Sequence, residues 1–229
     1  MLEHPYQRPH HQRIQWLLGQ LNFDLLSRTQ CYFGGGTAIV LKLNEYRESV
    51  DVDFLCASHE GYRELRNTVN QNSLGGLLSH PVPLAREVKA DRYGIRTFCL
   101  VDGVPIKLEV VREDRIALTG QMEPQFPVPV LSQVDMYAEK LLANTDRWAD
   151  RSTANRDLID LGMMVHHWGA IPHEAWLKAE MAYGESVKRA YNAARHQLTQ
   201  AEHLTACLTK MGMAGHWCEP LKTALGPSS

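Results

Sequence analysis

The chain lacks any apolar run approaching the ~20 residues that a membrane-spanning helix requires, so no bilayer crossing is expected. Its five cysteines, Cys31, Cys56, Cys99, Cys207 and Cys218, are odd in number and include no Cys-x-x-Cys pair. They read as reduced thiols of a cytoplasmic protein. The start, Met1-Leu2-Glu3-His4-Pro5, has neither the charged beginning nor the apolar centre of a secretory signal, which again points to the cytoplasm. A large excess of either sign of charge is missing too. A formal net charge of −2 gives no global attraction to nucleic acid, although Lys and Arg are spread widely enough to leave room for a local basic patch. There is no internal repeat and no low-complexity segment.

What is present is ordinary globular material. At 229 residues, 44% hydrophobic and 22% charged, the chain can build one large domain or two modest ones. Residues 1–10 read as loose. Ile14, Leu17, Leu18 and Leu21 recur at helical spacing and predict a helix over 11–28. Cys31-Tyr32-Phe33 reads as a short strand, Thr37–Leu43 as a short helix and Asn44–Ser49 as a loop. Tyr62, Leu65 and Val69 predict another helix. Two alternating segments, Ile95–Leu100 and Ile106–Val111, flank Asp102-Gly103, a strong hairpin signal. Pro124, Pro127 and Pro129 mark a boundary, beyond which the pattern is helical. Ser132 with Asp135 suits a helix start, Thr153 suits a cap for the helix holding Asp157, and helices continue through 173–210. The expectation is an α/β half over 1–123, with a mixed sheet flanked by helices, and a helical half over 124–229. A small-molecule site would suit the cleft between them.

The chemistry concentrates between Gly34 and Phe54. Gly34-Gly35-Gly36-Thr37 opens a short helix, and glycines there let backbone N–H groups approach a phosphate at the positive end of that helix. Val50-Asp51-Val52-Asp53-Phe54 follows. Read as a strand, it points Asp51 and Asp53 to one face and Val50, Val52 and Phe54 to the other. Two neighbouring carboxylates repel unless a cation lies between them. Oxygen ligands at this spacing suit Mg²⁺, which binds through one or two carboxylates plus substrate phosphates.

The run Gly35-Gly36-Thr37-Ala38 through Arg47-Glu48-Ser49-Val50-Asp51-Val52-Asp53-Phe54 resembles the DNA polymerase beta-like nucleotidyltransferase superfamily, and within it the AbiEii/AbiGii toxin family. Residues 38–50 separate Thr37 from Asp51, close to the spacing of that superfamily. Glu139-Lys140-Leu141-Leu142-Ala143 and Arg156-Asp157-Leu158-Ile159-Asp160-Leu161 resemble two later blocks of the family in order, so the resemblance spans roughly residues 30 to 165. It implies a Mg²⁺-dependent enzyme that moves a nucleoside monophosphate from a nucleoside triphosphate to an acceptor hydroxyl. It further implies the toxin of a toxin–antitoxin or phage-defence pair, with a cognate antitoxin protein and a tRNA 3′ end as candidate partners.

On that reading two Mg²⁺ ions bridge Asp51, Asp53 and Glu109. Glu109 is the third carboxylate, on the polar face of the strand in which Ile106, Leu108 and Val110 alternate with Lys107 and Glu109. Its other reading is an exposed acid paired with Lys107. Gly35, Gly36 and Thr37 would hold the triphosphate, and Arg47 and Ser49 flank the carboxylates as further nucleotide contacts. Arg47 equally suits fixing its loop through Glu45 or Glu48. The resemblance implies that Lys140 reaches a phosphate across the cleft, while its helix alone is compatible with a lysine snorkelling to solvent. Asp157 is carried over as a catalytic candidate. Asp157 or Asp160 would orient Lys140 or an acceptor, and Arg156 and Asp160 are spaced to pair on one helix. Both acids also suit the positive end of a helix.

His166-His167, His196 and His203 lack a Cys or acid to complete a transition-metal set, and the five tryptophans form no regular stacking stripe. The histidines read as surface or core residues, and the tryptophans as core or interface residues. Two other functions fit the same motifs: a small-molecule nucleotidyltransferase of the aminoglycoside-modifying kind, and a catalytically inactive nucleotide- or partner-binding module. The near-neutral charge sits awkwardly with a tRNA acceptor, because phosphate contacts need a basic surface.

Overall fold

The computed structural model describes residues 5–226. Residues 1–4, part of the stretch read as loose, lie outside it. The chain divides into two compact units. One holds Leu41 and the described residues before it, together with Ser49–Ser132; the other holds Lys42–Glu48 and the described residues from Gln133 on. The division falls at Ser132, past the position that the prolines marked.

The first unit is built on a seven-stranded mixed sheet in the order β3-β4-β5-β2-β1-β7-β6. The strands are β1 (Cys31–Gly34), β2 (Val52–Cys56), β3 (Leu84–Ala90), β4 (Gly94–Val101), β5 (Val104–Arg112), β6 (Gly120–Met122) and β7 (Pro129–Leu131). β2 runs antiparallel to β1 and parallel to β5. The β4–β5 hairpin turns at Asp102-Gly103, both at positive φ (50° and 76°), as a tight primed turn requires. Its alternation is the one visible in the sequence. Ile95, Thr97 and Cys99 on β4, and Ile106, Leu108 and Val110 on β5, are buried, while Arg96, Phe98, Lys107 and Glu109 are half-buried on the opposite face. Inside this unit Phe33 meets Phe54 and Phe126, with ring centroids 5.7 and 5.6 Å apart.

The single helix predicted over 11–28 is two, α1 (Pro9–Leu18) and α2 (Phe23–Arg28). The break arises because Leu21 bridges Leu78 and the Asn22 N–H donates to the Leu77 carbonyl, so this backbone is taken by tertiary partners. The Asn22 side chain then caps α2 by accepting from the Leu25 N–H at 3.0 Å. Two further helices, α3 (Gly35–Lys42) and α4 (His59–Thr68), follow β1 and β2. β2 begins at Val52, so Asp51 precedes the strand, and Val50 is exposed rather than directed to the core. Pro129, read as part of a boundary, opens β7, a position where a missing N–H is tolerated.

The second unit is helical: α5 (Gln133–Arg147), α6 (Arg156–Trp168), α7 (His173–Tyr183), α8 (Ser186–Leu198), α9 (Ala201–Lys210) and α10 (Cys218–Leu225). α5 packs against α6, α7 and α8, and α6 against α10. Tyr137 is fully buried, edge-on to Trp168, and its hydroxyl donates to the Gly169 carbonyl at 2.9 Å. Thr153 does not cap α6. Its hydroxyl donates to the Asp150 carbonyl, and Asn155 occupies the cap position at φ 50°. The Asn155 amide is spent on Trp148 and Gln197, and its carbonyl oxygen lies 3.0 Å from His203. Trp16 is exposed rather than core. The five cysteines are all free thiols. No helix among the described residues is long and apolar enough to cross a membrane.

Candidate functional site

In the sheet unit, register brings the predicted acids together. Asp53 on β2 lies opposite Gly34 on antiparallel β1 and opposite Glu109 on parallel β5. Val52 pairs with Leu108 at the start of that ladder, and Asp51 precedes it. Asp53 and Glu109 are thus cross-strand neighbours with Arg96 opposite Glu109 on β4, and Asp51, just before β2, is near enough to Lys107 for its charge to act on that ammonium. Residues directly opposite in a ladder share a face.

The glycine turn touches this group directly. Gly35 is the first residue of α3 and sits at φ 66°. The Asp53 side chain lies so close that a Cβ on Gly35 would meet its Oδ2 at 2.7 Å. Only a bare Cα admits the carboxylate to this end of α3. Gly36 follows in the first turn, half-buried.

Thr37 and Ser49 serve Asp51. The buried Thr37 hydroxyl donates to the Asp51 carbonyl and lies 2.8 Å from the Ser49 hydroxyl. Two consecutive histidines of α1 hold the same segment: the Ser49 N–H donates to His11 Nε2 at 3.1 Å, and His10 Nε2 lies 3.0 Å from the Val50 carbonyl. The structure thus gives the Thr37 and Ser49 hydroxyls to bracing the approach to Asp51. The histidines were invisible in the sequence, because nothing local links positions 10–11 to 49–50.

Glu109 is beside Asp53 but committed elsewhere. Arg96 Nε donates to its Oε1 and Lys107 Nζ to its Oε2, each at 2.5 Å. Burial raises the Glu109 pKa, but the bonds from Lys107 and Arg96 outweigh burial and hold it below the usual carboxylate value. Among the described residues no group of three His, Cys, Asp or Glu side chains is placed to hold a metal ion. Asp51 and Asp53 by themselves fit a divalent cation completed by substrate phosphates, since hard oxygen donors of this number are what Mg²⁺ takes from a protein. The bare Cα of Gly35 leaves room for the Asp53 carboxylate beside backbone N–H groups suited to phosphate.

In the helical unit a second set assembles. The Arg47 guanidinium grips Asp160, with Nε 2.8 Å from Oδ1 and a terminal nitrogen 2.9 Å from Oδ2, and also donates to the Glu48 carbonyl at 2.9 Å. The Tyr46 hydroxyl donates to Asp160 at 2.6 Å. Lys140 Nζ lies 2.6 Å from Asp160 and 3.0 Å from Asp157, and Arg147 Nε lies 2.5 Å from Asp157. Lys140 is 6% exposed, so it is a buried partner of two carboxylates rather than a snorkelling side chain. Asp160 pairs with Arg47 and Lys140 instead of Arg156, which is exposed. Burial alone would raise both acids. Arg47 and Lys140 overcome it for Asp160, and Lys140 and Arg147 for Asp157, so both pKa values fall below the ordinary 3.8. The Asp157–Lys140 link was legible from the motif. Tyr46 and Arg147 were missed, and only their helical or loop proximity in space identifies them.

The sequence matches, over residues 16–225, the pattern of the family described as nucleotidyl transferase AbiEii toxin of type IV toxin–antitoxin systems. No curated protein matches it. Among solved structures it is similar to a candidate nucleotidyltransferase from H. pylori, at 16% identity over 95% of this chain and 90% of that one, with a TM-score of 0.57. It is also similar to JHP933 from Helicobacter pylori, at 15% identity over 96% of this chain and 90% of that one, with a TM-score of 0.54. At these identities the likeness concerns the fold.

Proposed function

The chain belongs to the AbiEii nucleotidyltransferase toxin family, and from that premise we propose that it transfers a nucleoside monophosphate from a nucleoside triphosphate to an acceptor hydroxyl, with Asp51 and Asp53 at the reacting centre. Membership in a type IV toxin family implies a cognate antitoxin partner and a nucleoside triphosphate substrate. The observation that carries the reading is the contact of Asp53 with Gly35 at the first residue of α3. It sets an acid beside a turn suited to phosphate, with the other acid two residues away.

In this reading the N–H groups of Gly35 and Gly36 bind the triphosphate. Thr37, Ser49 and His11 act one step back, holding the backbone that presents Asp51. The acceptor oxygen bonds to the α-phosphorus as the bond from that phosphorus to pyrophosphate breaks in line; pyrophosphate leaves, and the hydroxyl proton passes to solvent. Asp51 and Asp53 would hold Mg²⁺, which when bound supplies neutralisation of the charge on the attacking and leaving oxygens. The buried Arg47–Asp160–Lys140–Asp157 set fixes the 42–48 segment in the helical unit. We place the protein in the cytoplasm, where triphosphates and their acceptors are found, and take a tRNA 3′ end as the first acceptor to try.

The test is to incubate the purified protein with each labelled triphosphate, Mg²⁺, and in turn tRNA, protein and small hydroxyl-bearing acceptors. Label should pass to one acceptor, and Asp53→Asn should stop it while the fold holds. Label on an aminoglycoside-type acceptor alone would favour a small-molecule enzyme. Absence of transfer to every acceptor, with triphosphate still bound, would replace the enzyme by a binding module.

A further inference from the structure

A two-ion site needs a third carboxylate free to bind metal, and the sheet does not offer one. Both oxygens of Glu109 are taken, one by Arg96 and one by Lys107, and its side chain is 16% exposed. Lys107 is not a distant surface charge. Its ammonium bonds Glu109, two residues away on the same face, and the charges of Asp51 and Asp53 both act on it. Its ammonium therefore belongs to the same charged group as the three acids. Arg96 also lies 3.3 Å from Asp91.

The charge balance leads the same way. Asp51, Asp53, Glu109 and the Asp91 that pairs with Arg96 carry four negative charges, and Lys107 and Arg96 cancel two of them. One divalent ion then brings the set to neutrality. A second would leave it two charges positive in a half-buried site, where unbalanced charge is costly.

We propose that the site takes one divalent cation, on Asp51 and Asp53, and that the Lys107 ammonium, bridged to Glu109, occupies the place a second cation would take. The inference rests on the metal-dependent reading above and narrows it. The fixed ammonium would face the triphosphate as a preorganised positive group, in reach of phosphate oxygens when substrate binds.

The test counts ions with Mn²⁺ as the probe and inorganic triphosphate as a ligand that needs no base pocket. Equilibrium dialysis gives the number bound per chain. Electron paramagnetic resonance distinguishes an isolated Mn²⁺ from a pair ~3.5–4 Å apart, which couple magnetically. The wild-type protein should bind one uncoupled Mn²⁺. Glu109→Gln should also bind one, because Glu109 is not a ligand. Arg96→Gln with Lys107→Gln should free Glu109 and raise the count to two, coupled, with circular dichroism confirming the fold. Two coupled ions in the wild type would overturn this inference and leave the proposed activity standing. Loss of the ion in Glu109→Gln would overturn it as well, by making Glu109 a ligand. A double variant that folds and stays at one would remove the role given to Lys107. No Mn²⁺ bound to the wild type, with or without triphosphate, would sink the metal-dependent reading itself and the inference with it.

Discussion

Arg47 and Asp160, 113 positions apart in the chain, meet inside the helical unit as a two-point ion pair, at 2.8 and 2.9 Å, with Asp160 wholly buried. A carboxylate so placed is tolerable only because its lone pairs are filled, here by Arg47, Tyr46 and Lys140. Lys140 carries the network on to Asp157 and Arg147. Arg47 thus serves the architecture of segment 42–48, and its donors point at protein groups.

Removing one charge from this network should cost far more than removing a surface charge. Asp160→Asn keeps the shape but leaves Arg47 and Lys140 without their shared anion. Breaking a buried pair from one side costs ~3–5 kcal/mol, and urea unfolding should show a loss of about that size. A loss below ~1 kcal/mol would mean that the two cations find other partners and that the pair is not the anchor described.

Lys140→Met should lower stability as well, because Asp157 and Asp160 would each lose a partner. Arg147→Gln should cost less. Its side chain is 37% exposed, so solvent already screens its contact with Asp157. Thermal midpoints of the two variants, measured side by side, check the order. An unchanged midpoint for Lys140→Met would return Lys140 to the role of a substrate-facing lysine with no structural task.

Acid should undo the same network in a defined window. The folded pKa values of Asp157 and Asp160 lie below the ordinary 3.8, because Lys140 and Arg147, and Arg47 and Lys140, outweigh the burial that would raise them. A depressed folded pKa contributes stability that is fully present above the unfolded value and is lost as pH falls through the folded one. Unfolding free energy should therefore hold from neutrality down to about pH 5 and drop as pH passes below 3.8. The measurement is denaturant unfolding at stepped pH on wild type and Asp160→Asn. Parallel curves for the two proteins would show that this carboxylate contributes none of the acid sensitivity.

What the sequence disclosed and what it hid follow one physical division. The alternation of Ile106, Leu108 and Val110 with Lys107 and Glu109, and the Asp102-Gly103 turn, are local patterns, and the hairpin stands where they place it. Gly35, Asp51 and Asp53 were legible for the same reason, as short-range motifs in a recognisable order. The break at 19–22 was hidden, because it is made by Leu77 and Leu78 acting on a helix-compatible sequence. β3, with mostly exposed residues and irregular register against β4, gave no clean period. The engagement of Glu109 by Arg96 required the β4–β5 register, and that of Arg47 by Asp160 required the tertiary fold. Spacing alone offered Glu45, Glu48 and Arg156 as partners, and each was nearer in sequence than the true one.

Two glycines have nearly the same backbone conformation. Gly35 and Gly103 both have positive φ, 66° and 76°. An alanine at either pays the left-handed penalty of roughly 1–2 kcal/mol. Their surroundings differ. Nothing lies within 4 Å of a Cβ placed on Gly103, whereas a Cβ on Gly35 meets Asp53 Oδ2 at 2.7 Å and its Cγ at 3.2 Å. Gly103→Ala should therefore lose only that modest stability, by a small drop in the urea midpoint, and keep its transfer rate. Gly35→Ala should lose similar stability but also push the Asp53 carboxylate away from the start of α3. Misplacing a reacting group by about 1 Å can cost ~10²-fold in rate, so transfer and Mn²⁺ binding should both fall steeply. Measuring stability, transfer and Mn²⁺ affinity on both variants separates backbone strain from displacement of Asp53. Equal activity in the two alanine variants would detach Asp53 from the site and leave the glycine turn as a plain strand-to-helix connection.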